Sequence, residues 1–240
     1  VKDCLDTEWL SYVGSYVSRF ETELAAFVDC KYAIGTVSGT SAIHCALIVS
    51  GVGIDDEVVM PALTFVAPAN AVRYCGAHPT FVDVDSDTWQ WDLSKVDDFL
   101  SNHCERKADG SLVNTHTGRR VAALLPVHLL GSLIDREALF ELSAKYQLPL
   151  IEDSAEALGA RFKDKGIGYQ FKQTGVPHFS CTSFNGNKIM TTGGGGAVFT
   201  NDEELAERVR HISTTAKTDP IEFDHDQLGF NYRMTNVAAA

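Results

Sequence analysis

Apolar positions recur along this chain with two alternating spacings. Phe20, Leu24, Phe27 and Val28 share one face of a helix, with Glu21, Glu23 and Asp29 mostly off it. Short apolar runs then read as strands over 32–37, 57–61, 80–84, 121–128, 149–153, 179–184 and 196–200. Helical stretches fall between them: one opened by Ser38-Gly39-Thr40-Ser41 and running to about Ser50, then 67–75, 94–100, 135–146 and 201–214. The last has acidic residues near its start and arginines near its end, as the helix dipole favours. The stretch 101–120 is polar and reads as a loop or small hairpin insertion.

Strands alternating with helices predict an α/β domain with a mostly parallel central sheet flanked by helices. Ligands of such sheets sit at the carboxyl ends of the strands. Four polar motifs fall just after expected strands: 38–41, Thr64-Phe65, 153–156 and 183–188.

Composition narrows the partners. The chain has 240 residues, 45% hydrophobic and 22% charged, which excludes a disordered or collagen-like chain. It contains no apolar run of about 18 residues, so no membrane partner is expected. A formal charge of −12 argues against a nucleic-acid partner, although backbone amides can still hold the phosphate of a small ligand. The six cysteines form no CxxC pair, so no metal site is expected and a reducing, cytoplasmic setting is the natural reading.

Three motifs carry candidate chemistry. At 38–41 a turn opens a helix, whose free amides would attract an anion; a plain N-cap by Ser38 or Thr40 is the alternative. At Ile151-Glu152-Asp153-Ser154-Ala155-Glu156, a carboxylate at a strand end would hold a cation or a protonated ring nitrogen; capping by Asp153 or Ser154 is the alternative. At Ser183-Phe184-Asn185-Gly186-Asn187-Lys188, a partly desolvated lysine would form a Schiff base, whereas most lysines are solvated. The glycines at 193–196 serve either a flexible turn or close approach to a bulky ligand. An anion cradle, a buried acid and a lysine are the three parts that pyridoxal phosphate needs.

The segments SGTSAIHCAL, DEVVMPALTFVAPANAV, GAHPTFVDVD, LLPVHLLG, LPLIEDSAEALGA, TSFNGNKIMTTGGGG and GFNYRMTNVAAA follow one another through essentially the whole chain. With them the sequence resembles the DegT/DnrJ/EryC1/StrS family of sugar aminotransferases, which are fold-type I pyridoxal phosphate enzymes. The resemblance implies an N-terminal segment over 1–18 and a cofactor-binding large domain over 19–240. It also implies a small C-terminal domain that would continue past Asn236, so that the chain is a fragment. Lys188 matches the lysine that bonds the cofactor aldehyde, and Asp153 the acid that pairs with the ring nitrogen. Gly39, Thr40 and Ser41 match the phosphate cradle, Ser183 its hydroxyl contact, and Phe65 the aromatic that stacks on the ring. Glu156 stands where many relatives have His or Gln near the phenolic oxygen. Asn231 matches an asparagine that reaches the phosphate in a neighbouring subunit, which implies a homodimer with shared sites. Asn187, Arg233 and Trp9 are candidates for substrate contact, with a surface ion pair as the alternative for Arg233. His128 reads either as a site residue or as a satisfied structural histidine, and Trp89 and Trp91 read as packing residues.

The implied reaction moves an amino group from glutamate to a nucleotide-linked 4-keto-6-deoxy sugar, with pyridoxamine phosphate as the intermediate cofactor form. SFNGNK, the TTGGGG run and the 101–120 stretch look most like a subgroup serving nonulosonic acids of the legionaminic type. Its substrate would be a UDP-linked 2-acetamido-2,6-dideoxy-4-keto hexose. A GDP-perosamine-type aminotransferase is the alternative; those relatives typically carry TTGEGG, where this chain has Gly194. A non-catalytic binding or regulatory protein on the same domain is the alternative of another class.

Overall fold

A computed structural model describes residues 1–219 and 221–240. The strands are β1 (Tyr32–Thr36), β2 (Glu57–Pro61), β3 (His78–Val82), β4 (Cys104–Arg106), β5 (Leu112–Asn114), β6 (Val121–Leu124), β7 (Leu150–Asp153), β8 (His178–Ser183) and β9 (Gly196–Thr200). Seven of them form one sheet in the order β1-β9-β8-β7-β6-β2-β3. β2 pairs in parallel with β3 and β6, and the parallel pairing continues through β7 to β8. β9 runs antiparallel to both β8 and β1. The sheet is therefore mostly parallel, as the alternation predicts.

The helices are α1 (Lys2–Asp6), α2 (Ser15–Phe27), α3 (Gly39–Val49), α4 (Val66–Tyr74), α5 (Leu93–Asn102), α6 (Arg136–Tyr146), α7 (Glu203–Ser213) and α8 (Asn236–Ala239). They cover both faces of the sheet, which is why the strands read as continuous apolar runs. Side chains alternate between the faces: Val58 and Met60 of β2 join a core with α3, α4 and α7, while Val59 joins one with α5 and α6. Aspartates cap several helix starts; Asp92, Asp135 and Asp202 each accept from an amide in the first turn. Among the described residues no helix is long and apolar enough to cross a membrane.

The structure departs from the sequence reading in places. The apolar run over 121–128 leaves the regular ladder after Leu124: Leu125 still donates to the Val59 carbonyl at 2.8 Å, but Pro126 has no N–H to give, and pairing with Asp153 continues only as an isolated bridge at Val127. Within 101–120 the small hairpin that the sequence allowed is present as β4–β5, pinned where Asn114 Nδ2 and Thr117 Oγ1 donate to the buried Glu57 at 2.8 and 2.6 Å. Trp91 packs in the second core, but Trp89 is exposed. Glu21, expected off the apolar face of α2, is buried: it accepts from the Gly35 amide at 2.7 Å and pairs with Arg233 at 2.7 Å.

One buried ion cluster stands at the centre of the sheet. Glu152 on β7 has no exposed side-chain surface, and neither has its partner Arg136 at 2.8 Å. His128 and His178 donate to the same carboxylate at 2.9 and 2.8 Å. Arg136 also donates to the carbonyls of Gly166, Ile167 and Tyr169, each at 2.9 Å. Burial pushes the Glu152 carboxyl up, but the Arg136 charge and the two histidine bonds outweigh it and hold it well below the usual carboxylate range. Glu152→Gln would leave Arg136 buried without its counter-charge, and breaking such a pair typically costs about 3–5 kcal/mol. Urea unfolding at pH 7 should show that loss; a change under about 1 kcal/mol would mean that the cluster does not hold the sheet together.

Candidate active site

The carboxyl ends of β1, β2, β6, β7 and β8 share one edge of the sheet, and β9, running the other way, begins at that edge. A cavity of 560 Å³ opens there. All four polar motifs that follow strands in the sequence contribute to its lining, through residues such as Gly39, Phe65, Asp153, Ser183 and Lys188.

The first wall is the start of α3. Ser38 caps the helix by accepting from the Ser41 amide at 3.1 Å, and its carbonyl accepts from the Ala42 amide. Among the described residues the N–H groups of Gly39 and Thr40 have no hydrogen-bond partner, and both residues line the cavity. The cap is present, and it leaves these two amides available to an anion. A Cβ on Gly39 would meet the Ser183 side chain at 2.8 Å, so glycine lets the turn sit beside that hydroxyl. A Cβ on Gly196 would meet the Ser38 carbonyl group at 2.5 Å. The glycine run thus answers a third need: it lets the start of β9 pass directly beneath the cradle's backbone.

Asp153 ends β7 and is 6% exposed. Its Oδ1 accepts from the Ala155 amide at 3.0 Å, while among the described residues Oδ2 has no partner. Burial pushes its pKa up to about 6, against the lowering effects of the Ala155 amide and the Lys188 charge. A nearby cationic donor would relieve that burial cost.

Lys188 has a side chain 14% exposed, and its Nζ donates to Glu156 Oε1 at 3.4 Å. The same ammonium lies 5.9 Å from the centre of the exposed Phe65 ring. His128 lines the cavity and is also satisfied: Nε2–H donates to Glu152, and Nδ1 accepts from the Ile134 amide at 3.3 Å. Asn187 lines the cavity too, with its carbonyl oxygen accepting from Asn185 at 2.9 Å.

Two sequence expectations need correction, and a third candidate stands away from the cavity. Ser41 is buried behind the cradle, its hydroxyl 2.8 Å from that of Ser38 and its amide taken by the cap, so it offers the cavity nothing. Arg233 is buried outside the cavity lining, bound to Glu21 at 2.7 Å and to the Gly35 carbonyl at 3.2 Å, so its guanidinium is structural and free for no substrate. Trp9 lies outside the cavity lining, its ring exposed and its carbonyl taken by Asn236 Nδ2 at 2.8 Å. Asn231 is exposed and lies outside the lining of its own chain's cavity. The Glu156–Lys188 pair and the turn at Leu129–Gly131 escape the sequence reading, because nothing local marks either. Among the described residues no group of three metal-ligating side chains is placed to hold an ion.

Two unpartnered amides with a serine hydroxyl, a partly bare buried carboxylate, an exposed aromatic and a shielded lysine line one cavity. That set fits the phosphate, ring nitrogen, ring face and aldehyde of pyridoxal phosphate. The family model for DegT/DnrJ/EryC1/StrS aminotransferases matches residues 1–240. The chain belongs to this aminotransferase family.

Members of the family resemble it in sequence and in shape. GDP-perosamine synthase of Escherichia coli O157:H7 is 38% identical over 240 residues, which is all of this chain and 60% of that protein. The structure of S. venezuelae DesV in complex with a ketimine intermediate superposes with a TM-score of 0.85 at 32% identity, covering 99% of this chain and 57% of that one. NtdA from Bacillus subtilis, solved with bound cofactor PMP, superposes with a TM-score of 0.80 at 29% identity, covering 99% and 49%. The chain therefore spans roughly half to three fifths of the length of these family members.

The raised Asp153 pKa sets a testable cost. A carboxyl held near 6 in the fold and near 3.8 when unfolded binds more protons in the fold, so stability falls as pH rises between those values. Above pH 6 the cost is about 3 kcal/mol. Asp153→Asn keeps the acceptor for Ala155 and removes the charge. Without added cofactor it should melt several degrees above the wild type at pH 8, and the advantage should fade as pH drops toward 4. Equal melting temperatures at pH 8 would show that Asp153 is not destabilised by its burial.

Proposed function

We propose that this chain is the cofactor-binding part of a pyridoxal phosphate-dependent aminotransferase that acts on a nucleotide-linked 4-keto-6-deoxy sugar. One observation carries the reading: Lys188, Asp153 and the unpartnered Gly39 and Thr40 amides face a single cavity. When bound, the cofactor supplies an electron sink that stabilises negative charge at the carbon losing its proton. Every other role belongs to the chain.

The Gly39 and Thr40 amides and the Ser183 hydroxyl hold the phosphate at the positive end of α3, which lets a chain of net charge −12 bind an anion without a basic side chain there. Asp153 holds a proton on the ring nitrogen, and the resulting opposite charges lower the cost of burying each. Phe65 covers the ring face, and Glu156 stands near the phenolic oxygen. Lys188 binds the cofactor aldehyde at rest. Once its amine is free, it takes the proton from the α-carbon of the amino donor, for which glutamate is proposed, and returns one to C4 of the sugar. Asn187 lies where it can meet the sugar. Asn231, exposed on its own subunit, reaches the phosphate of a second copy in a homodimer.

Two substrates are in view. The TTGGGG run favours a UDP-linked 2-acetamido-2,6-dideoxy-4-keto hexose for nonulosonic acid or surface-polysaccharide synthesis. The likeness to a GDP-perosamine synthase favours a GDP-linked 4-keto-6-deoxy sugar.

The protein should give a visible absorbance band with pyridoxal phosphate, and borohydride should fix the cofactor to the peptide containing Lys188. Lys188→Ala should show neither. The whole protein, given glutamate, should then aminate one of the two keto sugars, and Asp153→Asn should lose at least about a hundredfold in kcat. A fixed cofactor with no turnover on any keto sugar would favour a non-catalytic role; labelling elsewhere than Lys188 would overturn the assignment.

A further inference from the structure

Glu156 reaches two walls of the cavity at once. Oε1 accepts from Lys188 Nζ at 3.4 Å, and Oε2 accepts from the Leu130 amide at 2.8 Å. Leu130 is the middle residue of the short turn Leu129–Gly131 at the cavity's lip, where φ is 55° and ψ 23°. A leucine enters that left-handed region only when its surroundings impose it. Packing of its own side chain does not do so, because Leu130 is 74% exposed. The turn is held through its backbone instead. Gln90 Nε2 donates to the Leu129 carbonyl at 3.2 Å, the Gly131 amide to the His128 carbonyl at 3.3 Å, and the Leu130 amide to Glu156. Of these ties, only the one to Glu156 leads to a charged group that is itself paired with the lysine.

We infer that Glu156 is a positioning residue that couples the mouth of the cavity to Lys188. The inference rests on the reading of Lys188 as the group that holds the cofactor. While the lysine ammonium stays on Oε1, the carboxylate is fixed in the orientation that presents Oε2 to Leu130. When Nζ leaves Glu156, the carboxylate keeps one donor instead of two and is free to turn, and the strained turn loses the fixed acceptor of its Leu130 amide. The turn then loosens where a bulky sugar has to pass. The residues that bind the cofactor and the residues that border its entrance thus share one side chain.

Amide hydrogen exchange on the ligand-free protein tests the coupling directly. The readout is the peptide spanning Leu129–Gly131, with the β7 peptide as a control for folding. Lys188→Met removes the ammonium at nearly constant length. It should speed exchange at the turn about fivefold and leave β7 unchanged. Glu156→Gln keeps a carbonyl acceptor for Leu130 but no charge to pair with the lysine. It should speed the turn similarly, and the double variant should be no faster than Glu156→Gln alone. A Glu156 that merely props the turn would make it indifferent to Lys188→Met, and that result overturns the inference; so do additive effects. If Glu156→Gln does not fold, Lys188→Met alone decides. Fixing of the cofactor on Lys188 is measured separately, so coupling without labelling sinks the functional reading and labelling without coupling sinks this one.

Discussion

The buried charge of Glu152 is the constraint around which the rest of the structure is arranged. A carboxylate with no exposed surface in the middle of a sheet is tolerable only if every lone pair is used. Arg136, His128 and His178 use them, and Arg136 spends its remaining donors on the carbonyls of Gly166, Ile167 and Tyr169. The cluster therefore fixes three things at once: α6 against the sheet, the long loop after β7, and the ring of His128 at the floor of the cavity. His128 then accepts from the Ile134 amide and so shapes the path of the chain around the cavity's lip.

The next residue has the opposite electrostatics. Adjacent residues of a strand point to opposite sides, so Glu152 faces its cation while Asp153 faces the cavity edge. One carboxyl is held well below the usual range by a full set of partners, and the other is raised to about 6 by burial with one amide for company. The first stabilises the fold. The second costs stability until a positive charge is brought beside it. Catalytic groups commonly stand in such positions, because a group satisfied by the protein has little left to offer a ligand.

Most of the architecture was legible in the sequence because it rests on periodicity. Strands buried on both faces read as unbroken apolar runs, and the helix starts carry capping residues. The site motifs were legible because parallel strands bring their carboxyl ends to one edge. What failed depends on partners and backbone constraints that the apolar pattern does not show. The partner of Arg233 is Glu21, and each looked like a surface charge beside its own neighbours. Ser41 looked like a cradle residue because the motif does not say that Ser38 spends its hydroxyl on it. The 121–128 run looked like one strand because Pro126 lies among apolar residues. Glu156 could be placed near the cofactor by resemblance, but its link to Leu130 depends on a turn that no local signal predicts.

Under the proposed function, the turn that opens α3 lets a strongly acidic chain hold an anion. Placing lysine or arginine at the phosphate would add a charge that competes with Lys188 for Asp153 and Glu156 at short range. Backbone amides avoid this, since their partial charges are fixed by α3 and cannot swing toward a carboxylate. The requirement is steric rather than electrostatic: the turn must pass close to both β8 and β9, which is why glycine stands at 39 and 196. A side chain at either position would push the turn away from Ser183 and aim the two free amides elsewhere. Under the proposed function the glycines would decide where the anion sits, and Asp153 and Lys188 would act on a ligand whose place the backbone has already set.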